Sequence, residues 1–220
     1  MAIAFFNLDK TLLAVNSGTL WVRRELALGY VSKRQAMRAA LWLARYQLGF
    51  ARAEAMVEEA VAQIVGTRAA DLRERTARFY DQEVRGMFRP GGLEAIKRHR
   101  AAGDRLVLLT SSSNYMAELA TRQLQLDSFL CNTFEVDPQG LHTGKLVGRT
   151  CFAAGKLVHA EAEAAAHGVQ LKDCAFYTDS YSDLSVLEVV GQPVPVNPDP
   201  RLRRHAAKAG WQVAEWGLPG

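Results

Sequence analysis

Cysteine, histidine and long apolar runs are what this chain has least of. Its three cysteines, Cys131, Cys151 and Cys174, are odd in number, widely spaced and free of any CxxC pair. They read as small buried hydrophobes of a reduced protein, which excludes a disulfide framework and a thiolate zinc site. The five histidines form no HxH or HxxxH spacing, so a histidine-built metal centre is not expected. No apolar stretch approaches the roughly 20 residues that span a bilayer. Met1 and Ala2 lead into an apolar run without a basic segment, so no secretory signal is expected and a cytoplasmic location is. Repeats and low-complexity tracts are also missing.

What remains is ample for a packed protein. Hydrophobic residues make up 49% of the 220, enough for one large domain or a core with an inserted module. The net charge of +4 is unevenly placed. Residues 14–90 hold 13 Arg/Lys against 8 Asp/Glu, a net of +5, so the rest of the chain is at −1. A basic lid would steer phosphorylated substrates; an Arg-rich solvated helix surface explains the same count.

Residues 14–90 show no strand-like alternation. Met37, Leu41, Ala44 and Leu48 recur at helical steps, with Arg34, Arg38 and Arg45 on another face. Gly29, Gly49 and Gly66 stand at plausible helix ends. From residue 93 the pattern alternates: helix to 102, strand 106–109, helix 115–124 and strand 129–134. A hairpin is expected around Pro138 and Gly140, then helix 156–167, strand 174–178, helix 182–190, strand 193–196 and helix 201–209. The stretch 211–213 could add an edge pairing. Strands alternating with helices predict an α/β fold with a parallel, doubly wound sheet. In such sheets ligands bind beyond the carboxyl ends of the strands. Asn7 and Asp9, Thr110, and Asp179 each follow an apolar strand, so all are expected on one rim. The helical insertion leaves from that rim and can cover it.

The most informative stretch is Phe5-Phe6-Asn7-Leu8-Asp9-Lys10-Thr11. Two carboxylates at this spacing, just past a strand, would suit a Mg2+-assisted nucleophile and its acid/base partner. The first of the two is an amide here. The pattern resembles motif I of the haloacid dehalogenase superfamily, hhhDxDxT, with Asn7 where that family has its nucleophilic Asp. Thr110 to Ser113, after a strand, resemble motif II; Lys156 is similar to the motif III lysine; Thr178-Asp179-Ser180-Tyr181-Ser182-Asp183 resembles the DxxxD of motif IV. The resemblance spans residue 2 to about residue 211 and is nearest to the phosphoserine-phosphatase-like branch, subfamily IB.

The resemblance implies a Rossmann-like core of residues 1–13 and 91–220 with a C1-type helical cap at 14–90. It implies a Mg2+-dependent phosphomonoesterase of a small phosphorylated metabolite, acting through an aspartyl-phosphate that splits one difficult step into two. Position 7 would be the nucleophile. Asp9 would protonate the leaving oxygen and later deprotonate water. Mg2+ would be held by Asn7, Asp9 (through its carbonyl) and Asp179, with Asp183 behind, holding metal-bound water or Lys156. Thr110, the Ser111 amide and Lys156 would receive the phosphate. Each has a plainer alternative: Asp9 as a turn residue, Asp183 as a helix start, Thr110 as an N-cap, Lys156 as a surface lysine with Lys145 a rival. Trp21, Arg23 and Arg24 are weak candidates for cap contacts.

Asn7 decides the outcome, because an amide is a very poor nucleophile towards phosphorus. The chain is expected to bind Mg2+ and phosphoester but turn over at a background level. Loss of one motif residue with the rest intact favours a substrate-trapping Asp→Asn substitution over a natural pseudo-phosphatase. Phosphoserine phosphatases of this kind carry a Glu nine residues after the nucleophile; here it is Asn16. Histidinol phosphate or another amino-alcohol phosphate is therefore also a candidate. A second reading is binding: the Arg34/Arg38/Arg45 face beside Trp42 could grip anionic lipid headgroups. A cap helix packing on its neighbours explains that pattern more cheaply, so membrane binding is not expected. Nor is nucleic-acid binding, since the basic residues are not interleaved with aromatics on strands. A monomer or homodimer is expected.

Overall fold

The computed structural model describes residues 2–30, 34, 37 and 53–219. Five parallel strands form one sheet in the order β3-β2-β1-β6-β7, with β1 (Ile3–Phe6) at its centre. β2 is Arg105–Ser113, β3 Ser128–Asn132, β6 Ala175–Thr178 and β7 Gln192–Pro195. Between β1 and β2 come α1 (Ser17–Ala27), α2 (Ala53–Ala62), α3 (Ala69–Phe79) and α4 (Pro90–Ala101). α5 (Asn114–Leu124) joins β2 to β3, and a hairpin of β4 (Phe134–Val136) and β5 (His142–Leu146) follows. α6 (Ala154–Ala166), the one-turn α7 (Leu184–Leu187) and α8 (Pro200–Ala209) complete the chain.

The period of two along each strand sorts its side chains into two cores. Ala4, Phe6, Leu106, Leu108, Ala175 and Tyr177 face one way, with α4, α5 and the Phe79–Phe88 stretch. Ile3, Phe5, Val107, Leu109 and Phe176 face the other, against α6, α7 and α8. β1 is therefore apolar at every position and fully buried, as a strand covered on both faces must be. At the β7 edge, Gln192 donates to the Cys174 carbonyl just before β6 and Val196 to the Thr178 carbonyl at its end, so positions 193 and 195 turn their nitrogens outward. Both are proline, which leaves that edge without exposed N–H donors for another strand.

Several boundaries differ from those expected. β2 continues past its apolar run to Ser113, which itself caps α5 by accepting from the Met116 amide. The helix expected at 182–190 is a 3-10 turn at Tyr181–Asp183 plus one α-turn. It stops before the β-branched pair Val189 and Val190 and before Gly191, whose Cα lies so close to the Lys172 carbonyl that a Cβ would fall 1.8 Å from its oxygen. The 211–213 pairing is one residue later, a single bridge between Val196 and Ala214.

The hairpin does not hang free. The Gly66 amide donates to the His142 carbonyl, His142 donates back to Thr67, and Ala69 donates to Gly140, each at 2.9 Å. Gly144, at φ +78°, lies against Val65, where a Cβ would meet that side chain at 2.3 Å. Of the Arg34/Arg38/Arg45 and Met37/Leu41/Ala44/Leu48 pattern, only Arg34 and Met37 are described, and both are exposed; Arg38, Leu41, Trp42, Ala44, Arg45, Leu48 and Gly49 lie outside the described residues. Gly29 follows the end of α1 at φ +79°. All three cysteines are buried and unpaired, and burial pushes the thiols of Cys131 and Cys151 up to about 12.

Candidate functional site

The carboxyl end of β1 is tied to β6 by the Asn7 amide, which donates to the Tyr177 carbonyl at 2.9 Å. Beyond it, residues 8–12 form one wide turn: Leu13 donates to the Leu8 carbonyl at 2.9 Å, and Lys10 takes a left-handed φ of +58°. This turn folds Thr11 back beside Asn7. The Asn7 side-chain nitrogen donates to Thr11 Oγ1 at 3.1 Å, to the Asp9 carbonyl at 3.0 Å and to Asp179 Oδ1 at 3.1 Å. Thr11 in turn donates to Asp179 Oδ1 at 3.0 Å and accepts from the Asp179 amide. β1 and β6 are neighbours in the sheet, which is why residues 168 apart in sequence meet here.

Lys156 enters from the first turn of α6. Its Nζ donates to Asn7 Oδ1 at 3.1 Å and to Asp183 Oδ2 at 2.8 Å. Lys156 and Asp183 are each 2% exposed, so the pair is desolvated and each charge depends on the other. Thr178 donates a further 2.6 Å bond to Asp183. Gly155 lets α6 come this close, since a Cβ there would lie 2.0 Å from the Thr150 carbonyl oxygen. Asp179 is pushed up to about 6 by burial and then by the charge of Asp183, against the pull of Thr11 and Lys156.

Asp9 points another way. One carboxylate oxygen accepts the Ser17 amide at 2.7 Å, at the start of α1, and the other accepts the Ser112 hydroxyl at 3.0 Å. Thr110 is buried, and its Oγ1 accepts from the Ser112 amide at 3.1 Å. Thus Asn7, Asp9, Asp179, Lys156, Asp183 and the Thr110–Ser112 end of β2 are brought to one rim. Lys145 is exposed on β5. Trp21 packs edge-on against Phe79 at 5.3 Å, and Arg24 pairs with Glu83 at 2.7 Å. Arg23 borders an open depression of about 410 Å³ with Leu20, Ala27 and Leu28. Asn16 is engaged in capping α1, accepting from the Thr19 amide at 2.8 Å.

Three contributors were not singled out from sequence. Asn132, buried at the end of β3, donates to the Ser111 carbonyl at 2.7 Å and accepts from the Cys151 amide at 2.8 Å, joining the end of β2 to the approach of α6. Its signal was a polar residue ending an apolar strand. Ser112 and Thr178 sat inside the quoted motifs, but nothing in their spacing identified Asp9 or Asp183 as partners.

Oxygen donors are what a hard divalent cation takes, and the Asp9 carbonyl and Asp179 Oδ1 converge on one point. That point is the Asn7 amide nitrogen. Among the described residues no three His, Cys, Asp or Glu side chains gather into a metal cluster. One position is an amide, and the donor two residues on is main chain.

A family profile described as haloacid dehalogenase-like hydrolase matches residues 4–188, from β1 through α7. A phosphoserine phosphatase of Mycobacterium tuberculosis is 31% identical over 99% of this chain and 71% of its own. A histidinol-phosphatase of Neisseria meningitidis serogroup C is 25% identical, with 96% of this chain and 97% of its own covered. Among solved structures, a Bordetella pertussis protein of unknown function superposes with a TM-score of 0.88 at 28% identity, 97% of each chain being covered. A phosphoserine phosphatase in a phospho-aspartyl intermediate analogue form gives 0.69 at 16% identity, over 97% of this chain and 92% of that one; this likeness is one of fold.

Proposed function

The chain belongs to the haloacid dehalogenase-like hydrolase family, and from that premise we propose that its site is that of a Mg2+-dependent phosphomonoesterase for a small phosphorylated metabolite, lacking its nucleophile. The observation that supports this best is the buried Asn7–Lys156–Asp183 and Asn7–Asp179 cluster at the rim of β1 and β6. Helices within 14–90 would serve as the cap over a core of 1–13 and 91–220. Among the described residues no helix is long and apolar enough to cross a membrane; a cytoplasmic monomer or homodimer is proposed.

Phosphate esters resist attack because the incoming and outgoing oxygens meet a dianion, so catalysis rests on positioning and charge neutralisation. Lys156 would carry part of that neutralisation, held by Asp183 so that its charge points at position 7. Thr110 and the Ser111 amide would receive a phosphate oxygen. Asp9, oriented by Ser17 and Ser112, would protonate the leaving oxygen and later take a proton from water. Mg2+, on the Asp9 carbonyl and Asp179, would supply further neutralisation when bound. An Asp at position 7 would attack phosphorus and form the aspartyl-phosphate. Asn7 offers a neutral oxygen already accepting from Lys156, so this step is lost and the ester is bound but not turned over. Phosphoserine and an amino-alcohol phosphate such as histidinol phosphate are the substrates to try, given the names of the relatives.

The test is phosphate release from a panel of phosphomonoesters with and without Mg2+, for this chain and for Asn7→Asp. Turnover is expected only for the Asp variant, by orders of magnitude over the chain as it stands. Release by neither protein overturns the hydrolase assignment.

A further inference from the structure

We propose that the Asn7 amide stands in for the divalent cation, so that this chain has a self-closed site whose stability does not depend on metal. The identity of the cation position rests on the phosphatase assignment above; the geometry of the amide does not. Lys156 can only donate, so the atom of Asn7 facing it at 3.1 Å must be the oxygen. The nitrogen is thereby aimed at the opposite wall. That wall is made of the Asp9 carbonyl at 3.0 Å, Thr11 Oγ1 at 3.1 Å and Asp179 Oδ1 at 3.1 Å. All three can accept, and one belongs to a carboxylate that is 9% exposed. A cation at this rim would answer the same oxygens. The two amide N–H groups already do so, sharing these three acceptors, at a site from which water is largely excluded, where a bond to a charged acceptor counts most.

Substitution by Asp reverses the situation. One carboxylate oxygen would keep Lys156. The other would face the Asp9 carbonyl and Asp179 Oδ1 across about 3 Å with no proton of its own, and like charges at that separation demand a counter-ion. Asn7 is thus more than a nucleophile with its charge removed. It is a donor pointing into the oxygens that a cation would need, and a cation must displace it to bind. This sets it apart from a weak ligand: a plug can be removed, and removing it should help the cation.

The decisive variant is therefore Asn7→Ala, which has neither carboxylate nor amide. Isothermal titration with MgCl2 on the full chain, Asn7→Ala and Asn7→Asp is expected to give the order Asp tighter than Ala, and Ala tighter than Asn. The Ala-over-Asn gain should be on the order of tenfold, the size of one lost bond to a charged acceptor. Thermal melting of the same proteins provides a second readout: Mg2+ should raise the midpoint of Asn7→Asp and leave that of the unaltered chain unchanged. If Asn7→Ala binds Mg2+ no more tightly than the unaltered chain, or if Mg2+ stabilises the unaltered chain as much as Asn7→Asp, the plug is overturned. Neither result depends on turnover. Failure of Asn7→Asp to release phosphate would count against the phosphatase assignment alone.

Discussion

Replacing Lys156 by Met should be among the most damaging single changes open to this fold, and the structure says by how much. The ammonium is buried between Asn7 Oδ1 and Asp183 Oδ2. Without it, among the described residues Asp183 keeps the Thr178 hydroxyl as its side-chain donor while remaining 2% exposed. An exposed ion pair would contribute under about 1 kcal/mol, but stranding one partner of a buried pair costs about 3–5 kcal/mol. In a chain of this length each kcal/mol moves the melting midpoint by about 2–4 °C, so a drop of roughly 6–20 °C is expected by calorimetry. Lys156→Met/Asp183→Asn removes both charges and keeps an acceptor for Thr178, so it should recover at least about 1.5 kcal/mol relative to the sum of the single changes. Proton uptake supplies a second check. Asp179, already pushed up to about 6 by burial, would lose the Lys156 charge that pulls it down, so its ionised form would cost more and the Lys156→Met loss should be larger at pH 8 than at pH 5.5. Strict additivity of the two substitutions, or a Lys156→Met loss below about 1 kcal/mol, would refute the coupling inferred from burial.

Gly155→Ala should cost about 1–3 kcal/mol in urea denaturation, because its Cβ would meet the Thr150 carbonyl oxygen at 2.0 Å; Gly86→Ala, with nothing within 4 Å, should stay within about 0.5 kcal/mol of the starting chain. Asn132→Ala strands the Ser111 carbonyl and the Cys151 amide and should cost about 2 kcal/mol or more, with a matching fall in turnover when placed beside Asn7→Asp. Burial lowers the pKa of His142 from its ordinary 6.5. Its unfolded form therefore takes up a proton first as pH falls, so this stability is complete above about 6.5 and is lost below it, through the folded pKa. Denaturation midpoints at pH 8 and pH 5 should differ less in His142→Gln than in the parent, and an equal difference in both would count against the neutral buried imidazole.

How much was legible beforehand divides along local and non-local lines. The apolar runs and their glycine and proline punctuation located all five sheet strands and their alternation with helices, because two-faced burial leaves a continuous hydrophobic signature. Asn7, Asp9 and Asp179 were likewise legible, since each follows a strand at a short spacing, whereas Lys156, in the first turn of α6, was reached only through the family resemblance. Pairings across the sheet were not. Nothing near Ser112 in sequence indicates Asp9, and nothing near Asn132 indicates Cys151; the first contact exists only once β1 and β2 lie side by side, and the second only once the chain before α6 returns to the end of β3. The 182–190 segment was over-read as helix because the apolar period continues through Val189 and Val190, while the close approach of Gly191 to Lys172 is a tertiary fact. The orientation of the Asn7 amide was also beyond reach, as it follows from where the lysine arrives.

The central position of β1 carries a cost in time. Of the five strands of the sheet it is synthesised first, yet its two neighbours are β2 and β6, which begin at Arg105 and Ala175. At about 5–20 residues per second, the wholly apolar Ile3–Phe6 segment waits roughly 5–20 s for its first partner and roughly 10–35 s for its second. The rim that holds Asn7 cannot form until Asp179 and Asp183 have been made. Nascent chains of this protein should therefore be clients of factors that shield extended apolar segments, and any slowing of synthesis between β2 and β6 lengthens the interval in which one side of the central strand is open.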